Sequence, residues 1–183
     1  MDRVMVVDDD PEWPTQFEKI VAFLSPFVEA FIVRIEHVGS PSVPGLAAKP
    51  IIDIDVVVAD EAQRPEALSL IEEAGYQWVG DLDVEGRDAF DAPETPRLPQ
   101  HHLYLVVINN RAHCDHWLLR EALIDNSHLI DRYARIKREN ADLVGDDIER
   151  YVALKAAFVA EVLTEARLAR GMEPVAYWEP DLG

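Results

Sequence analysis

The chain has 183 residues, 49% of them apolar, with seventeen basic against thirty-five acidic side chains and a formal net charge of −18. That length and apolar content suit a single domain over residues 1–183 with a substantial core and exclude a disordered chain. The charge repels a phosphate backbone and so opposes general nucleic-acid binding, while leaving room for a small nucleotide in a pocket where Lys and Mg²⁺ reverse the local field.

From the N-terminus, "MDRVMVVDDDPEW" carries an acidic cluster where a signal peptide needs an apolar stretch. Residues 1–12 are expected to be loose. Pro14 opens a helix in which Phe17, Ile20, Val21 and Leu24 recur at helical spacing. Over 31–38, Phe31, Val33 and Ile35 alternate with Arg34 and Glu36, which predicts a half-buried strand. A loop with a Pro44–Gly45 turn leads to a strand over 51–58, and a helix over 63–74 stops before Gly75. Residues 76–100 hold one or two short strands and end in the proline-rich loop "DAPETPRLPQ". "HHLYLVVIN" (101–109) is a strand. Helices follow over 114–124, 127–141 and 146–169, the last with Ile148, Val152, Val159, Leu163 and Ala166 on one face. Residues 171–183 form an irregular tail whose aromatics are expected to pack back on the body. No run of 18 uncharged apolar residues exists to span a membrane, and the lone Cys114 fits a cytoplasmic location. Strands first and helices after predict an α+β fold: a small mixed sheet with helices packed on it and a helical C-terminal half.

The stretch "HVGSPSVPGLAAKPIIDIDVVV" (37–58) departs from this plain pattern. In a strand, side chains two apart share a face, so Asp53 and Asp55 point one way while Ile52, Ile54, Val56 and Val58 point into the core. Their Cα atoms lie ~6.6 Å apart at the usual strand rise, a spacing from which two carboxylates can converge on one Mg²⁺ or Mn²⁺. Without positive charge nearby, like charges on one face destabilise the strand. Gly39–Ser40 ends the preceding strand with a turn whose N–H groups suit a phosphate, and Lys49 closes the loop. Two readings stand: a pair of solvated carboxylates on an open sheet face, or a site for a nucleoside triphosphate with Mg²⁺.

"IEHVGSPSVPGLAAKPIIDIDVVV" closely resembles the signature of the GrpB family. "EEAGY", "HHLYLVV", "HWLLREAL", "HLIDRYARIK" and "YVALKAAFV" resemble that family's later blocks in order and rough spacing, so the likeness runs from about Trp13 to Leu163. The resemblance implies a nucleotidyltransferase-like fold, in which a Gly-Ser turn and a D-x-D strand bind nucleotide and Mg²⁺ and a third acid on a neighbouring strand usually completes the metal site. Gly39, Ser40, Lys49, Asp53 and Asp55 match the motif, and related domains occur fused to dephospho-coenzyme A kinases. Departures are Pro41 in place of the usual Thr or Ser, which removes a hydroxyl and an N–H, and Glu121 in place of Asp. The strand over 102–108 carries no acid; His102 and Tyr104 stand where one is expected.

Other features are weaker. His113 and His116 sit one helical turn apart and can chelate zinc, although such a run, with Cys114 and Asp115 between them near a helix start, is more often a polar cap. Arg120, Tyr133, Lys137 and Lys155 on the C-terminal helices are suited to a positive wall for phosphates, or to surface ion pairs. Cys114 is expected to be inert, and Trp13, Trp78, Trp117 and Trp178 to serve packing. The expected site therefore assigns catalysis to Asp53, Asp55 and Lys49, metal to Asp53 and Asp55, and phosphate or nucleotide contact to Gly39, Ser40, Ser42, Lys49, His102, Arg120 and Lys137. The expected activity is Mg²⁺-dependent transfer of a nucleotidyl group from an NTP to a small-molecule acceptor. The alternatives are a non-catalytic module binding a nucleotide or a coenzyme A-like molecule, and a ligase or kinase on the same fold.

Overall fold

The computed structural model describes residues 3–82, 84–93, 95 and 97–175. In chain order the elements are α1 (Trp13–Val28), β1 (Arg34–Val38), a single 3₁₀ turn (Ser40–Ser42), β2 (Ile52–Val58), α2 (Arg64–Glu73), β3 (Gln77–Gly80), β4 (Arg87–Asp91), β5 (His101–Val107), α3 (Arg111–Ile124), α4 (Ser127–Val144) and α5 (Ile148–Leu168). The strands form one mixed sheet in the order β1-β2-β5-β4-β3. The β2–β5 pair is parallel and the other three are antiparallel. The α+β architecture matches the one expected.

The hydrophobic alternation of β2 and β5 sets the layers. Ile52, Ile54, Val56 and Val58 join Leu103 and Leu105 on one face, where Ile20, Leu24 and Val28 of α1 and Ala67 and Ile71 of α2 cover them. The opposite face carries Asp53, Asp55, His102 and Tyr104 and looks toward α3. A second core belongs to the helical half: Leu118 and Leu123 of α3, Tyr133 of α4, and Phe158, Val159, Val162 and Leu163 of α5. Val43, Leu46 and Ala47 insert into it from the loop before β2, so this loop seats the helices against the sheet. The Pro44–Gly45 turn forms as expected, with Leu46 N–H donating to the Val43 carbonyl at 3.1 Å and Gly45 at φ 83°.

Several boundaries differ from expectation. β1 starts at Arg34, and Phe31 and Val33 are 44% and 46% exposed. Phe31 N–H still bonds the Val28 carbonyl at the end of α1, so the chain is turning where alternation suggested a strand. β5 stops at Val107 because Asn109 adopts φ 61°, outside strand geometry. α3 starts at Arg111 because the Asn110 side chain accepts the His113 N–H and caps the helix. Residues 76–91 resolve into the β3–β4 pair, with an irregularity between Trp78 and Gly80. The N-terminal segment is not loose over its described part: Val4 is buried, Val7 bridges to Ala48, and Asp9 accepts the Gly45 N–H at 2.8 Å. In the tail, Val175 is buried against the helical core, and Tyr177 and Trp178 lie outside the described residues. No described helix is long and apolar enough to cross a membrane.

Candidate functional site

A cavity of about 150 Å³ lies where the polar face of the sheet meets the helical half. Its sheet wall is built from Gly39 and Ser40 of the turn, Lys49 of the loop, Asp53 of β2, and His102 and Tyr104 of β5. His116 and Arg120 enter from α3, Tyr133 and Lys137 from α4, and Tyr151 and Lys155 from α5. Gly39, Ser40, Lys49, Asp53, His102, Arg120 and Lys137, all expected in one site, are thus brought together. Ser42 and Asp55 do not border the cavity. The Ser42 hydroxyl donates to the Gly39 carbonyl at 2.7 Å and stiffens the turn. Asp55 is 0% exposed beneath His116.

Gly39 is needed on two counts. Its φ is 70° with ψ −175°, a backbone state essentially restricted to glycine. A Cβ there would lie 2.7 Å from Asp53 Cγ and closer still to Oδ2. The turn therefore closes directly over the Asp53 carboxylate. Ser40 is tied across the cavity to the Tyr133 hydroxyl. Burial chiefly raises the pKa of that phenol, against the opposing effect of the Ser40 bond.

The cations concentrate here although the chain is strongly acidic. Lys137 is 2% exposed, and its Nζ has no hydrogen-bond partner among the described residues. The Tyr133 ring lies 4.3 Å from it, and Lys155 Nζ stands 4.8 Å from the Tyr151 ring. Burial, then repulsion from Lys155 and Arg138, holds the Lys137 ammonium well below its usual range, against a smaller opposing pull from Asp53. Arg120 donates to Glu121 at 2.7 Å through Nη1, and its Nε is buried without a hydrogen-bond partner among the described residues. Buried cationic groups with unused donors are costly unless an anion satisfies them.

The acids of the sheet face meet histidines. Parallel pairing sets His102 beside Asp53, and His102 Nδ1 lies 2.9 Å from Asp53 Oδ1. His116 reaches down from α3 and places Nδ1 3.0 and 2.9 Å from the two oxygens of Asp55. Across β1–β2, Glu36 stands opposite Asp55, and its Oε2 is 3.0 Å from His113 Nε2. The His113 bond is the main reason the Glu36 carboxyl is held at about 2, with help from Arg34 and against the effect of burial. The zinc reading of His113 and His116 therefore fails in this geometry: each serves a different carboxylate. Among the described residues no three metal-capable side chains converge. A Mg²⁺ shared by Asp53 and Asp55 does not fit this donor set either, because both Asp55 oxygens are engaged and only Asp53 faces the cavity. Sequence reasoning missed Glu36 and the Asp55–His116 pair; the alternation of Arg34 with Glu36 was the one available signal for the former.

Of the remaining side chains, Cys114 is partly buried and its thiol is pushed up mainly by burial, in keeping with an inert residue. Trp13 is in the core. Trp78 donates to Asp88 at 3.0 Å, and Trp117 lies under the Arg170 guanidinium.

The chain is similar in sequence and fold to several known proteins. The UPF0157 protein BH1888 of Halalkalibacterium halodurans is 32% identical over 89% of this chain and 82% of its own length. A dephospho-CoA kinase of Mycolicibacterium paratuberculosis is longer; at 28% identity, 89% of this chain matches 46% of it. The crystal structure of conserved protein GrpB from Enterococcus faecalis superposes with TM-score 0.77 at 30% identity, over 88% of this chain and 96% of that one. Cid1 poly(U) polymerase with Mg 3'-dATP bound superposes with TM-score 0.50 at 12% identity, over 74% of this chain and 44% of that one, a likeness of fold alone. The fold is of the nucleotidyltransferase type. The GrpB protein family model matches residues 3–165, and the chain belongs to the GrpB family.

Proposed function

We propose that the cavity binds the phosphate chain of a nucleoside triphosphate and that the protein transfers the nucleotidyl group to a small-molecule acceptor. One observation carries this reading. In a chain of net charge −18, Lys49, Arg120, Lys137 and Lys155 gather around one small cavity beside a Gly-Ser turn, with Asp53 as the single carboxylate on its wall among the described residues. A polyphosphate answers that imbalance. The volume accommodates the phosphates rather than a whole nucleotide, so base and sugar lie toward the open side, where the Asp53 and His102 side chains are 25% and 26% exposed.

In this reading the acceptor oxygen attacks the α-phosphorus in line and pyrophosphate departs. The protein acts by positioning and by neutralising charge on the leaving group. That charge falls to the cationic wall rather than to a metal held by both aspartates. The test is incubation with each labelled NTP and a panel of hydroxyl- and amine-bearing metabolites, with and without Mg²⁺, scored for pyrophosphate. Calorimetry with inorganic pyrophosphate tests the binding step alone; no heat at millimolar pyrophosphate would sink the reading.

A second reading is a binding module without turnover for a nucleotide or coenzyme A-like diphosphate. Burial of Asp55 under His116 favours it, as does Pro41, which offers the turn no N–H. Pyrophosphate binding with no turnover on any panel member would select it. Release of ADP or inorganic phosphate would instead select a ligase or kinase.

A further inference from the structure

We infer that Asp53 and Asp55 position histidines rather than share a divalent cation: the acidic pair belongs to a row of three carboxylate–imidazole pairs, Glu36–His113, Asp55–His116 and Asp53–His102. The inference deepens the reading of the cavity as a phosphate site and rests on it only for the cavity's role.

The row follows from register. Glu36 and Asp55 are opposite one another on β1 and β2, and Asp53 is beside His102 on β5. His113 and His116 project from one turn of α3 at the spacing that lets two side chains share a helix face. Each acid thereby meets its own imidazole, at 3.0 Å for Glu36, 2.9 Å for Asp55 and 2.9 Å for Asp53. An ionised carboxylate can only accept, so the facing ring nitrogen carries the proton in each pair. For His113 a second contact fixes the tautomer independently: its Nδ1 accepts the Asn109 N–H at 3.1 Å, which leaves Nε2–H for Glu36.

Two features oppose a shared cation. Asp55 is fully buried, with both oxygens on one imidazole N–H. Asp53 has one oxygen on His102 and the other packed against Gly39, where not even a Cβ fits. The helix that delivers His116 is also fixed in place. Asn110 caps it and donates to the Gly86 carbonyl at 2.6 Å, His113 ties it to Glu36, and Asp115 ties it to Arg167 at 2.5 Å. The imidazoles thus give each carboxylate of this strand face a hydrogen-bond partner of its own. His102 and Asp53 both line the cavity, with side chains 26% and 25% exposed, so this is the pair that a ligand meets.

The test uses the full chain without nucleotide. Imidazole N–H resonances of His102 and His116 are recorded by NMR in EDTA and then during titration with Mn²⁺, while Mn²⁺ binding is measured by calorimetry. Two downfield, exchange-protected N–H signals that stay sharp at millimolar Mn²⁺ are expected. One signal should vanish in His102→Gln and the other in His116→Gln. Paramagnetic broadening of both signals in the unmodified chain, with submillimolar Mn²⁺ binding that Asp53→Asn and Asp55→Asn abolish, would overturn the inference. Those measurements on the unmodified chain decide the matter even where a variant fails to fold. Pyrophosphate calorimetry in EDTA separates the two readings: its failure removes the phosphate site and leaves the histidine pairs standing, whereas Mn²⁺ binding does the reverse.

Discussion

Replacing Gly39 with Ala tests the link between the turn and the acid beneath it. The residue's φ of 70° with ψ −175° excludes a side chain on backbone grounds, which costs about 1–3 kcal/mol. The added methyl would stand 2.7 Å from Asp53 Cγ and 2.8 Å from its Cβ. Carbon atoms prefer roughly 3.5–4.0 Å, so Asp53 or the turn has to move. Overpacking of this kind costs about 1–3 kcal/mol, and a displaced Asp53 also loosens its bond to His102. The expected loss is therefore about 2–6 kcal/mol, a large part of the roughly 5–15 kcal/mol that holds a domain together. Gly45→Ala is the control. Gly45 has φ 83° but nothing within 4 Å of a built Cβ, so only the backbone contribution applies. Urea unfolding of both variants, with m-values checked, isolates the steric part. If Gly39→Ala is no more than about 1 kcal/mol worse than Gly45→Ala, against the overpacking range above, the turn does not rest on Asp53 as described.

Three further outcomes follow from the same geometry. Burial holds the His37 imidazole down at about 4 from 6.5, against the pull of Asp53 and with help from Arg120. The unfolded chain therefore binds the proton first, and stability present above pH 6.5 should fall by about 2–3 kcal/mol as the pH drops through 6.5 to 4. His37→Phe keeps the stack on Phe17, at 4.8 Å and 7°, and should flatten urea midpoints across that window; an unchanged slope would refute the assignment. The Glu36 carboxyl, held at about 2 from 4.5 chiefly by His113, contributes stability that is complete above its unfolded value and is lost as pH falls toward 2. Glu36→Gln should remove that acid-side slope and cost about 1–3 kcal/mol at neutral pH, read by thermal or urea unfolding. Lys137→Met replaces a buried ammonium lacking a hydrogen-bond partner with an apolar chain of similar length. It should raise stability by about 1–3 kcal/mol while abolishing pyrophosphate binding by calorimetry; retained binding would show that Lys137 is not a phosphate ligand.

What could be read from the chain was local. The Gly39–Ser40 turn, the Pro44–Gly45 turn, Lys49 and the two faces of β2 all lie within residues 39–58, where turn chemistry and a period of two suffice. Arg120 and Lys137 entered the expected site through resemblance, and residue type alone favoured surface ion pairs for each of them. The partners of the acids were not legible. His116 meets Asp55 across 61 positions and His113 meets Glu36 across 77, so a spacing rule saw only two histidines on one helix turn. Glu36 looked like the solvent side of a half-buried strand because its neighbour Asp55 is defined by strand register, which no local pattern encodes. The early start assigned to β1 has a related cause: alternating apolar residues also occur where a chain is still leaving a helix, as at Phe31.

The parallel β2–β5 pair has a kinetic consequence. Asp53 and His102 are 49 positions apart, and α2, β3 and β4 lie between them, so a long stretch of chain must be organised before the central ladder can close. A chain still being synthesised can form α1 and offer β2 to β1, but Asp53 has no histidine beside it until β5 has been made, and Asp55 none until α3 has been made. Pyrophosphate binding during refolding should thus appear with the slowest phase, as a reporter of completed topology rather than of early collapse.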